Sequence, residues 1–510
     1  MIVDDQAETL AFLQDPASYG GQAEAVERIE THISVVFLVG GFAYKLKRAV
    51  RYSYLDFSTV EKRASACAAE LALNRRTAPA LYLETRAIRR RAGGNLGFDG
   101  QGALVDAVVV MRRFDQSCLF DRLAQKGALS VVLMRELADR IADFHRSAEV
   151  DRSFGGQSAL AGIIDGNEAN LDAAVPAVFD AAAVAALISA SREALAGIGA
   201  LVDERRQEGK VRLCHGDLHL RNICLLEGVP TLFDCIEFSR DIACIDVLYD
   251  LSFLLMDLAH RGLPELANTV FNRYFDREGE AEGAAALPLY LSLHAAIRAH
   301  VGAAALPAKR PEQREESIAE ARAYFHLAQA LLRPGTPRLI AIGGLSGTGK
   351  STLAYGLAPR LGAAPGARVL RSDVLRKRLM GMAPESPLPA EAYGEAVTRS
   401  VYGRLGEEAG RLLRAGCSVI LDAVFLRPDE RTAAEALARD LRVEFQGFWL
   451  QAAPEILAAR IEGRRGDASD ATVEILHRQL AVPTGPIGWR RVDVGGTSAA
   501  ALAALSKMIG

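Results

Sequence analysis

The chain has 510 residues, and two or three domains are expected because single hydrophobic cores rarely grow beyond about 250–300 residues. Half of the residues are hydrophobic and 24% are charged, which is typical of a soluble globular enzyme and excludes a disordered or fibrous chain. The net charge of −3 is unevenly distributed: residues 336–510 carry 23 Lys and Arg against 18 Asp and Glu, and residues 1–335 carry 37 against 45. A mildly basic last third suits anionic phosphates, but it is not the dense basic surface of a nucleic-acid binder.

The expected location follows from the hydrophobic pattern and the cysteines. We find no apolar run of the roughly 18–20 residues that span a bilayer. The acidic start, Met1–Gln14, has neither the basic n-region nor the apolar h-region of a signal peptide. The seven cysteines are odd in number and form no C-x-x-C pair, which favours reduced thiols. We therefore expect a cytoplasmic protein without a membrane partner.

Four cysteines lie close enough in the sequence to raise a zinc site as an alternative: Cys214, Cys224, Cys235 and Cys244. Their spacings are not those of zinc ribbons, and three of them sit in apolar runs typical of strands. Buried thiols are therefore favoured.

The first hundred residues mix predicted strands with one helix. His32–Val39 and Phe42–Leu46 read as strands around a Gly40-Gly41 turn, and Val60–Arg76 is helical in character. Ala107–Arg113 is a continuous apolar strand, after which the pattern is mainly helical to about Leu332. This predicts a small lobe to about residue 113 and a helical lobe over about 114–335, with a cleft between them.

A cluster of polar residues lies within the predicted helical lobe. His215–Asn222 reads H-G-D-x-H-x-x-N and follows a strand-like run, Val211–Cys214. In phosphoryl transfer this spacing places Asp217 beside the attacking hydroxyl as a catalytic base and Asn222 on a metal ion. Asp234, at the end of another strand-like run, can bridge the metal ions. The three residues predict a base and a Mg²⁺ cage, with helix capping or a buried polar network as the alternative.

These residues resemble the aminoglycoside phosphotransferase and choline kinase superfamily, over roughly Thr31–Leu258. The resemblance implies a bilobal, protein-kinase-like α+β domain over residues 1–335 and an ATP-dependent kinase of a small hydroxylated molecule. It makes Asp246 and Asp250 structural acids. His145 is favoured as a packed or capping histidine over a catalytic one.

The resemblance also implies that Lys45 holds the α- and β-phosphates of ATP. Lys45 and Lys47 share one strand face. The partner of Lys45 is Glu61 or Glu70, which lie on opposite faces of the predicted helix, and the residues around Glu70 favour Glu70. Met111–Phe114 is the expected hinge, with Met111 contacting adenine.

A domain junction is predicted at Arg333-Pro334-Gly335-Thr336-Pro337, after the long helical stretch Glu312–Leu332. Beyond it strands alternate with helices, which predicts an α/β domain over residues 336–510 with a parallel sheet covered on both faces. The predicted strands are Leu339–Ile342, Arg368–Arg371, Ser418–Leu421 and Glu444–Leu450.

The segment Gly344–Thr352 fits the P-loop pattern G-x-x-x-x-G-K-[ST], between a predicted strand and a predicted helix. Its main-chain N–H groups would face phosphate oxygens, Lys350 would reach the β- and γ-phosphates, and Ser351 would bind Mg²⁺. The predicted nucleotide-binding residues are Gly344, Ser346, Gly347, Thr348, Gly349, Lys350, Ser351 and Thr352.

Other residues complete this predicted site. Asp422 ends an apolar strand, so it would hold Mg²⁺ or its water, or else cap a helix. Asp373 would orient or deprotonate the acceptor hydroxyl, or else merely begin the next helix. Arg460 and Arg464, with Arg465, would close over the phosphates from a lid, or else be solvated surface arginines.

The last third resembles the small P-loop kinases, the group that contains gluconate kinase, shikimate kinase and zeta-toxin-like proteins, over roughly Pro337–Leu480. With these two domains in this order, the chain resembles a bacterial family of predicted bifunctional proteins. Such a fusion implies two ATP- and Mg²⁺-dependent sites.

The leading hypothesis is a kinase of small-molecule hydroxyl groups, with two sites that act in succession. Three alternatives stay open: a regulatory or toxin-type kinase of a protein or nucleotide sugar, a nucleic-acid 5′-end kinase, and an ATP-binding switch. The modest charge counts against nucleic acid as a partner. The acceptor and the oligomeric state do not follow from the sequence.

Overall fold

The computed structural model describes residues 3–21, 25–52, 55–333, 335–463 and 469–509. Pro334 of the predicted junction and the predicted lid residues Arg464 and Arg465 lie outside the described residues. The chain divides into two compact units, Met1–Ala159 with Asp203–Leu254, and Leu160–Val202 with Leu255–Gly510. The domain boundary near residue 335 stays a prediction.

The described strands are β1 (Glu27–Glu30), β2 (Ser34–Val39), β3 (Phe42–Lys47), β4 (Arg51–Tyr52), β5 (Leu55–Asp56), β6 (Tyr82–Arg90), β7 (Leu96–Phe98), β8 (Ala103–Arg112), β9 (Val211–Leu213), β10 (Ile223–Leu226), β11 (Val229–Leu232), β12 (Cys244–Asp246), β13 (Arg338–Gly344), β14 (Arg368–Arg371), β15 (Val419–Asp422), β16 (Glu444–Gln451) and β17 (Arg490–Asp493).

The described helices are α1 (Ala7–Gln14), α2 (Val60–Asn74), α3 (Phe120–Gln125), α4 (Val131–Ser147), α5 (Gly156–Asp172), α6 (Ala181–Gln207), α7 (Arg240–Ala243), α8 (Val247–His260), α9 (Pro264–Glu278), α10 (Leu287–Ala304), α11 (Pro311–Leu331), α12 (Lys350–Leu357), α13 (Ser372–Leu379), α14 (Glu395–Arg414), α15 (Pro428–Leu441), α16 (Pro454–Glu462), α17 (Val473–Leu480) and α18 (Ser498–Ile509).

The first unit contains a six-stranded antiparallel sheet in the order β1-β2-β3-β8-β6-β7. Side chains alternate between its faces. Phe37, Tyr44 and Leu46 are buried in the core on one face. Lys45 lies opposite Val109 of β8, on the other face, where α2 packs. The small β-rich lobe predicted from the sequence is confirmed. The helix that packs on the Lys45 face of its sheet, α2, carries the candidate glutamates.

The second unit contains a five-stranded parallel sheet in the order β14-β15-β13-β16-β17. Its core joins Ile340, Ile420 and Phe448 to α12 and α18. The predicted parallel sheet is confirmed, with β17 as an additional strand. Three of the four residues of β17 are charged and exposed, and Val492 alone is buried, so no apolar run marks this edge strand.

The other edge strand, β14, is covered by α9. Asn268, Asn272 and Asp276 are spaced by four residues and therefore share one face of α9. Asn268 donates hydrogen bonds to two main-chain carbonyls just before β14, and Asn272 accepts one from the N–H of Val369 at 2.8 Å. Asp276 pairs with the guanidinium of Arg368, which is 1% exposed. The two asparagines thus satisfy main-chain groups that an uncovered edge strand leaves unpaired.

One described helix, α6, is long and apolar enough to cross a membrane by length and composition. The sequence itself has no uninterrupted apolar run of roughly 18–20 residues here, because the adjacent charged residues Arg192 and Glu193 divide the helix. One of these, Arg192, pairs with Asp165 at 2.8 Å and with Glu168 at 2.6 Å. A core helix of a globular protein passes the same test.

Candidate active sites

The first candidate site is built around Lys45 of β3. Its Nζ lies 2.8 Å from Oε1 of Glu70 and 2.5 Å from Oδ1 of Asp234. Of the two candidate glutamates, Glu70 is buried on the sheet-facing side of α2, and Glu61 is exposed in the first turn. Burial alone would lower the pKa of Lys45, but the charges of Asp234 and Glu70 outweigh it and hold that pKa well above its ordinary value.

A second lysine and a third acid extend this charge cluster. Lys47 is 1% exposed and pairs with both Glu70 and Glu237. The five groups therefore alternate in charge in the order Asp234, Lys45, Glu70, Lys47 and Glu237. Burial raises the pKa of Glu237, whereas Lys47 opposes that rise. The sequence analysis missed Glu237, because it lies in an irregular segment after β11 where no periodic pattern indicates its partners.

The hairpin of β10 and β11 brings Asn222 and Asp234 to the same end. Ile223 pairs with Leu232, and the N–H of Phe233 donates to the carbonyl of Asn222 at 3.0 Å. Asp234 has a φ of +62°, which is uncommon for a residue with a side chain. Its N–H donates to the hydroxyl of Tyr82 at 3.2 Å, so the loop is fixed to the small lobe.

Asp217 and Asn222 contact each other directly. The Nδ2 of Asn222 donates to Oδ2 of Asp217 at 2.8 Å and to its carbonyl at 3.0 Å. The side chain of Asp217 is 38% exposed and that of Asn222 is buried. The predicted base is therefore accessible, and the predicted metal ligand is held in place by it.

The main chain before Asp217 rests on a buried network. Asp250 accepts hydrogen bonds from the N–H groups of His215 and Gly216 at 3.1 and 2.9 Å and from Nε2 of His145 at 3.0 Å. Burial would raise the pKa of Asp250, but the hydrogen bond from His145 and the other donors hold it below its ordinary value. His145 thus packs against a structural acid.

One group of side chains in the first unit lies close enough together to hold a metal ion: His145, Cys214 and Asp250. The hydrogen bonds to Asp250 already use both of its oxygens.

The expectations for the cysteines and for Asp246 can also be compared with the structure. Each of the seven cysteines is free. Asp246 is buried and pairs with Arg205 at 2.7 Å.

Met111 of β8 is half-buried and packs with Phe114 and Phe233 in the cluster that includes Tyr82 and Val109. The predicted hinge therefore lies beside the loop that carries Asp234. Its contact with adenine stays a prediction.

The second candidate site is the P-loop between β13 and α12. Gly344 ends β13, Gly349 is the residue before α12, and Lys350, Ser351 and Thr352 form the first turn of that helix. The Nζ of Lys350 donates to the carbonyls of Gly344 and Leu345 at 2.9 and 3.1 Å. The Oγ1 of Thr348 donates to the carbonyl of Leu345 at 2.8 Å, which closes the loop on itself.

The glycines of this loop are required by its backbone. Gly347 has a φ of +86°, and a Cβ there would lie 2.6 Å from the carbonyl oxygen of Leu457. Gly344 has a φ of +139°, and a Cβ would lie 2.6 Å from the carbonyl oxygen of Leu450. Neither conformation nor space is open to another residue.

Asp422 lies beside the P-loop because β15 pairs with β13, with Asp422 opposite Ile342. Its Oδ2 accepts the hydroxyl of Ser351 at 2.5 Å and lies 3.3 Å from Nε of Arg371. Burial raises the pKa of Asp422, and Arg371 and Lys350 oppose that rise. No described helix begins at Asp422, since α15 starts at Pro428, so the capping alternative does not apply.

The structure also gives the positions of Asp373 and Arg460, the remaining predicted residues of this site that it describes. Asp373 lies in the first turn of α13, so it both begins a helix and follows the end of β14. Arg460 donates to the carbonyls of Val494 and Gly496 at 2.8 and 2.9 Å, in the loop after β17. A lid role for Arg460 stays a prediction, as it does for Arg464, which lies outside the described residues.

The sequence analysis did not predict a buried ion pair made by α13, the helix that contains Asp373. Lys377 of α13 is fully buried and its Nζ lies 3.0 Å from Oδ1 of Asp470. The other oxygen of Asp470 accepts the hydroxyl of Tyr393 at 2.6 Å and the N–H of Leu388 at 3.1 Å. This pair fixes the segment after α13 to residue 470, a contact between positions too far apart in sequence for local patterns to indicate.

Comparisons with known proteins identify two domains in the chain. Residues 57–286 match a model described as a phosphotransferase enzyme family, and residues 339–486 match a model described as an AAA domain. An uncharacterized protein of Mycobacterium tuberculosis strain H37Rv is 32% identical over 478 residues, which is 92% of each chain, and one of Mycobacterium bovis gives the same values.

Solved structures are similar to one part of the chain each. A gluconokinase from Sinorhizobium meliloti is 23% identical, with 34% of this chain and 96% of that chain covered and a TM-score of 0.24. A choline/ethanolamine kinase family protein from Mesorhizobium loti is 16% identical, with 64% and 99% covered and a TM-score of 0.38.

The chain is therefore an enzyme of the kinase class, with a phosphotransferase domain followed by a P-loop domain. It belongs to the same family as the two mycobacterial proteins, with which it shares almost its whole length. Such kinase domains imply the use of ATP.

Proposed function

We propose that the chain transfers the γ-phosphate of ATP to hydroxyl groups of small molecules at two independent Mg²⁺-dependent sites. The observation that carries the proposal is the convergence of Asp217, Asn222 and Asp234 with the Lys45–Glu70 pair in one unit. A complete P-loop beside Asp422 lies in the other. The donors at each site are carboxylate, amide and hydroxyl oxygens, which are the ligands that Mg²⁺ prefers.

At the first site Asp217 accepts the proton of the acceptor hydroxyl. The hydroxyl oxygen bonds to the γ-phosphorus, the bond from that phosphorus to the bridging oxygen breaks, and ADP leaves with that oxygen. Lys45 holds the α- and β-phosphates, while Asn222 and Asp234 hold Mg²⁺, which neutralises developing charge.

At the second site the loop amides and Lys350 hold the phosphates, and Ser351 and Asp422 hold Mg²⁺. Asp373 accepts the acceptor proton, and Arg460 and Arg464 stabilise the transferred charge. The same bonds form and break. The mildly basic last third suits an acceptor that already carries phosphate, so we infer that this site acts second.

We also propose that the protein is cytoplasmic and has no membrane partner, and we regard nucleic acid as a less favoured partner. The free cysteines and the balanced charge support this part of the proposal.

The test is mass spectrometry of a bacterial metabolite extract incubated with Mg·ATP and the wild-type, Asp217→Ala or Lys350→Ala protein. We expect one phosphorylated species to be lost in Asp217→Ala and a doubly phosphorylated one to be lost in Lys350→Ala. If no small molecule gains phosphate with the wild-type protein, the proposal is wrong, and protein or nucleic-acid acceptors become the leading alternatives.

A further inference from the structure

The segment that follows β11, residues 233–237, carries Asp234 and Glu237 and belongs to no helix or strand. Main-chain N–H groups outside regular structure need acceptors from elsewhere in the chain. Those acceptors determine the conformation of such a segment. They therefore show what holds Asp234, which the proposed function assigns to Mg²⁺, in its place.

The outer N–H groups of this segment bind to the loop that also carries Asp217. The N–H of Phe233 donates to the carbonyl of Asn222 at 3.0 Å, and the N–H of Ile236 donates to the carbonyl of His215 at 2.9 Å. The Nε2 of His215 in turn donates to the carbonyl of Phe233 at 2.9 Å. Both ends of the segment are thus fixed to the loop of the proposed base.

The two N–H groups between them bind instead to side chains of β6 and α2. The N–H of Asp234 donates to the hydroxyl of Tyr82 at 3.2 Å, and the N–H of Cys235 donates to Oδ1 of Asn74 at 2.9 Å. The Nδ2 of Asn74 donates to the carbonyl of Glu70 at 3.0 Å, which fixes the orientation of the amide. All four N–H groups therefore have acceptors, and that of Asp234 depends on one hydroxyl group.

The hydroxyl of Tyr82 is held at a fixed point. Tyr82 is 1% exposed, lies opposite Met111 in the sheet and packs in the same cluster as Val109. Burial raises the pKa of Tyr82 well above its ordinary value, and the charges of Asp234 and Glu70 raise it further. The group therefore stays a neutral hydroxyl, and its oxygen accepts the N–H of Asp234 without adding a charge to the site.

The backbone conformation of Asp234 needs such an anchor. Its φ of +62° lies in the left-handed region, which residues with a side chain rarely adopt. A residue keeps such a conformation only when the surrounding contacts impose it. This φ also sets the direction of the side chain, whose Oδ1 lies 2.5 Å from Nζ of Lys45. Loss of the Tyr82 hydroxyl would leave the N–H of Asp234 unpaired and allow its carboxylate to turn.

We propose that Tyr82 is a positioning residue of the first site, and that its hydroxyl holds Asp234 in the conformation that binds Mg²⁺. This inference rests on the proposed function and adds a residue of β6 to the groups that determine metal binding. Tyr82 acts through Asp234 rather than as a metal ligand. Because the other three N–H groups keep their acceptors, removal of the hydroxyl disturbs Asp234 without releasing the whole segment.

Tyr82→Phe and Tyr19→Phe form a matched pair of variants. Each removes one buried hydroxyl from the first unit and retains the aromatic ring. The hydroxyl of Tyr19 donates to the carbonyl of Leu13 at 2.6 Å, and its ring packs in the core on the other face of the sheet. An effect shared by both variants therefore reports the loss of a buried hydroxyl, and an effect of Tyr82→Phe alone reports the site.

The measurement is the binding of Mn²⁺, which accepts the same oxygen ligands as Mg²⁺. Bound Mn²⁺ is followed by the loss of the electron paramagnetic resonance signal of the free ion, in the presence of AMP-PNP, a non-hydrolysable analogue of ATP. The parent protein is the full chain with Lys350→Ala and Ser351→Ala, which remove the lysine and the proposed metal-binding hydroxyl of the P-loop.

Each tyrosine variant is also prepared with Asp234→Ala, which completes a double-mutant cycle. Urea unfolding followed by circular dichroism confirms that every variant is folded under the binding conditions.

We expect Tyr82→Phe to raise the dissociation constant of Mn²⁺ at least fivefold, and Tyr19→Phe to stay within twofold of the parent protein. With Asp234→Ala present, Tyr82→Phe should change that constant less than twofold, because no carboxylate remains to be positioned. The inference is overturned if the two phenylalanine variants bind Mn²⁺ equally well, or if the effect of Tyr82→Phe persists with Asp234→Ala. If Asp234→Ala alone leaves Mn²⁺ binding unchanged, Asp234 is not a metal ligand, and the proposed first site fails together with this inference.

Discussion

The two candidate sites differ in how they position the lysines that are predicted to bind phosphate. Lys45 lies between Glu70 and Asp234, within a cluster of five charged side chains from β3, α2 and the loop after β11. Lys350 donates to two main-chain carbonyls of the P-loop itself. The first site therefore depends on long-range pairing of side chains, and the second on the backbone conformation of nine consecutive residues. Mutations that remove charge should affect the first site most, and mutations that restrict the backbone should affect the second.

The largest effect is expected from Glu70→Ala. This change leaves the buried ammonium groups of Lys45 and Lys47 without their shared carboxylate, and breaking a buried ion pair costs about 3–5 kcal/mol of the free energy of unfolding. Glu61→Ala, at an exposed position of the same helix, should cost less than about 0.5 kcal/mol.

Two probes distinguish the units in this experiment. Urea unfolding followed by circular dichroism reports both units, and tryptophan fluorescence reports the P-loop domain. Glu70→Ala should shift an early transition in the circular dichroism and leave the fluorescence transition in place. An unchanged circular dichroism curve would show that the charge cluster does not stabilise the first unit.

The next largest effect is expected from Gly347→Ala in the P-loop. The substitution places a Cβ 2.6 Å from the carbonyl oxygen of Leu457 at a φ of +86°, and such strain costs about 1–3 kcal/mol. Methylanthraniloyl-ATP binding should weaken at least tenfold. Gly406→Ala, in α14 with open space around it, is the control and should leave binding unchanged. Equal binding by both variants would contradict a backbone-built site.

The charge cluster should also respond to acid. The folded-state pKa of Glu70 lies below its ordinary value of 4.5. Burial alone would raise this pKa, but the positive charges of Lys45 and Lys47 lower it by more. Its contribution to stability is therefore complete above about pH 4.5 and is lost as the pH falls further. Glu70→Gln should be less stable than wild type at neutral pH, and the difference should shrink toward pH 3. A constant difference across that range would show that the charge of Glu70 is not the cause.

The smallest effect on stability is expected from Ser351→Ala. It removes one hydrogen bond to Asp422, worth about 0.5–1.5 kcal/mol, and leaves the loop backbone intact. The fluorescence transition in urea should move by that amount, and the Mg²⁺ concentration for half-maximal P-loop activity should rise. If Mg²⁺ dependence is unchanged, Ser351 is not a metal ligand.

The sequence was most informative where a function resides in consecutive residues. The P-loop pattern needs only its own backbone, and Asp422 follows from a parallel pairing of two apolar strands. The hairpin that joins Asn222 to Asp234 is similarly local. The choice of Glu70 over Glu61 depends on which face of α2 meets the sheet, and periodicity alone left both open.

Other parts of the site depend on contacts across long stretches of chain. Lys47 meets Glu237 over 190 positions, and Lys377 meets Asp470 over 93. No local pattern records such pairs. Strand β17 was missed because an edge strand with three charged residues has no apolar signal. The hydrogen bond from Arg460 to the carbonyl of Val494 depends on that strand and was therefore missed as well.

The cover that α9 provides for β14 bears on how the enzyme can be divided. A fragment that begins at Thr336 would keep the whole P-loop motif and lose Asn268, Asn272 and Asp276. Its first sheet edge would then present open hydrogen-bonding groups and the bare guanidinium of Arg368 to other copies of itself, which favours self-association. A soluble P-loop fragment should therefore start before Pro264. The boundary that the motifs suggest is therefore not the position at which we expect the chain to yield a soluble P-loop fragment.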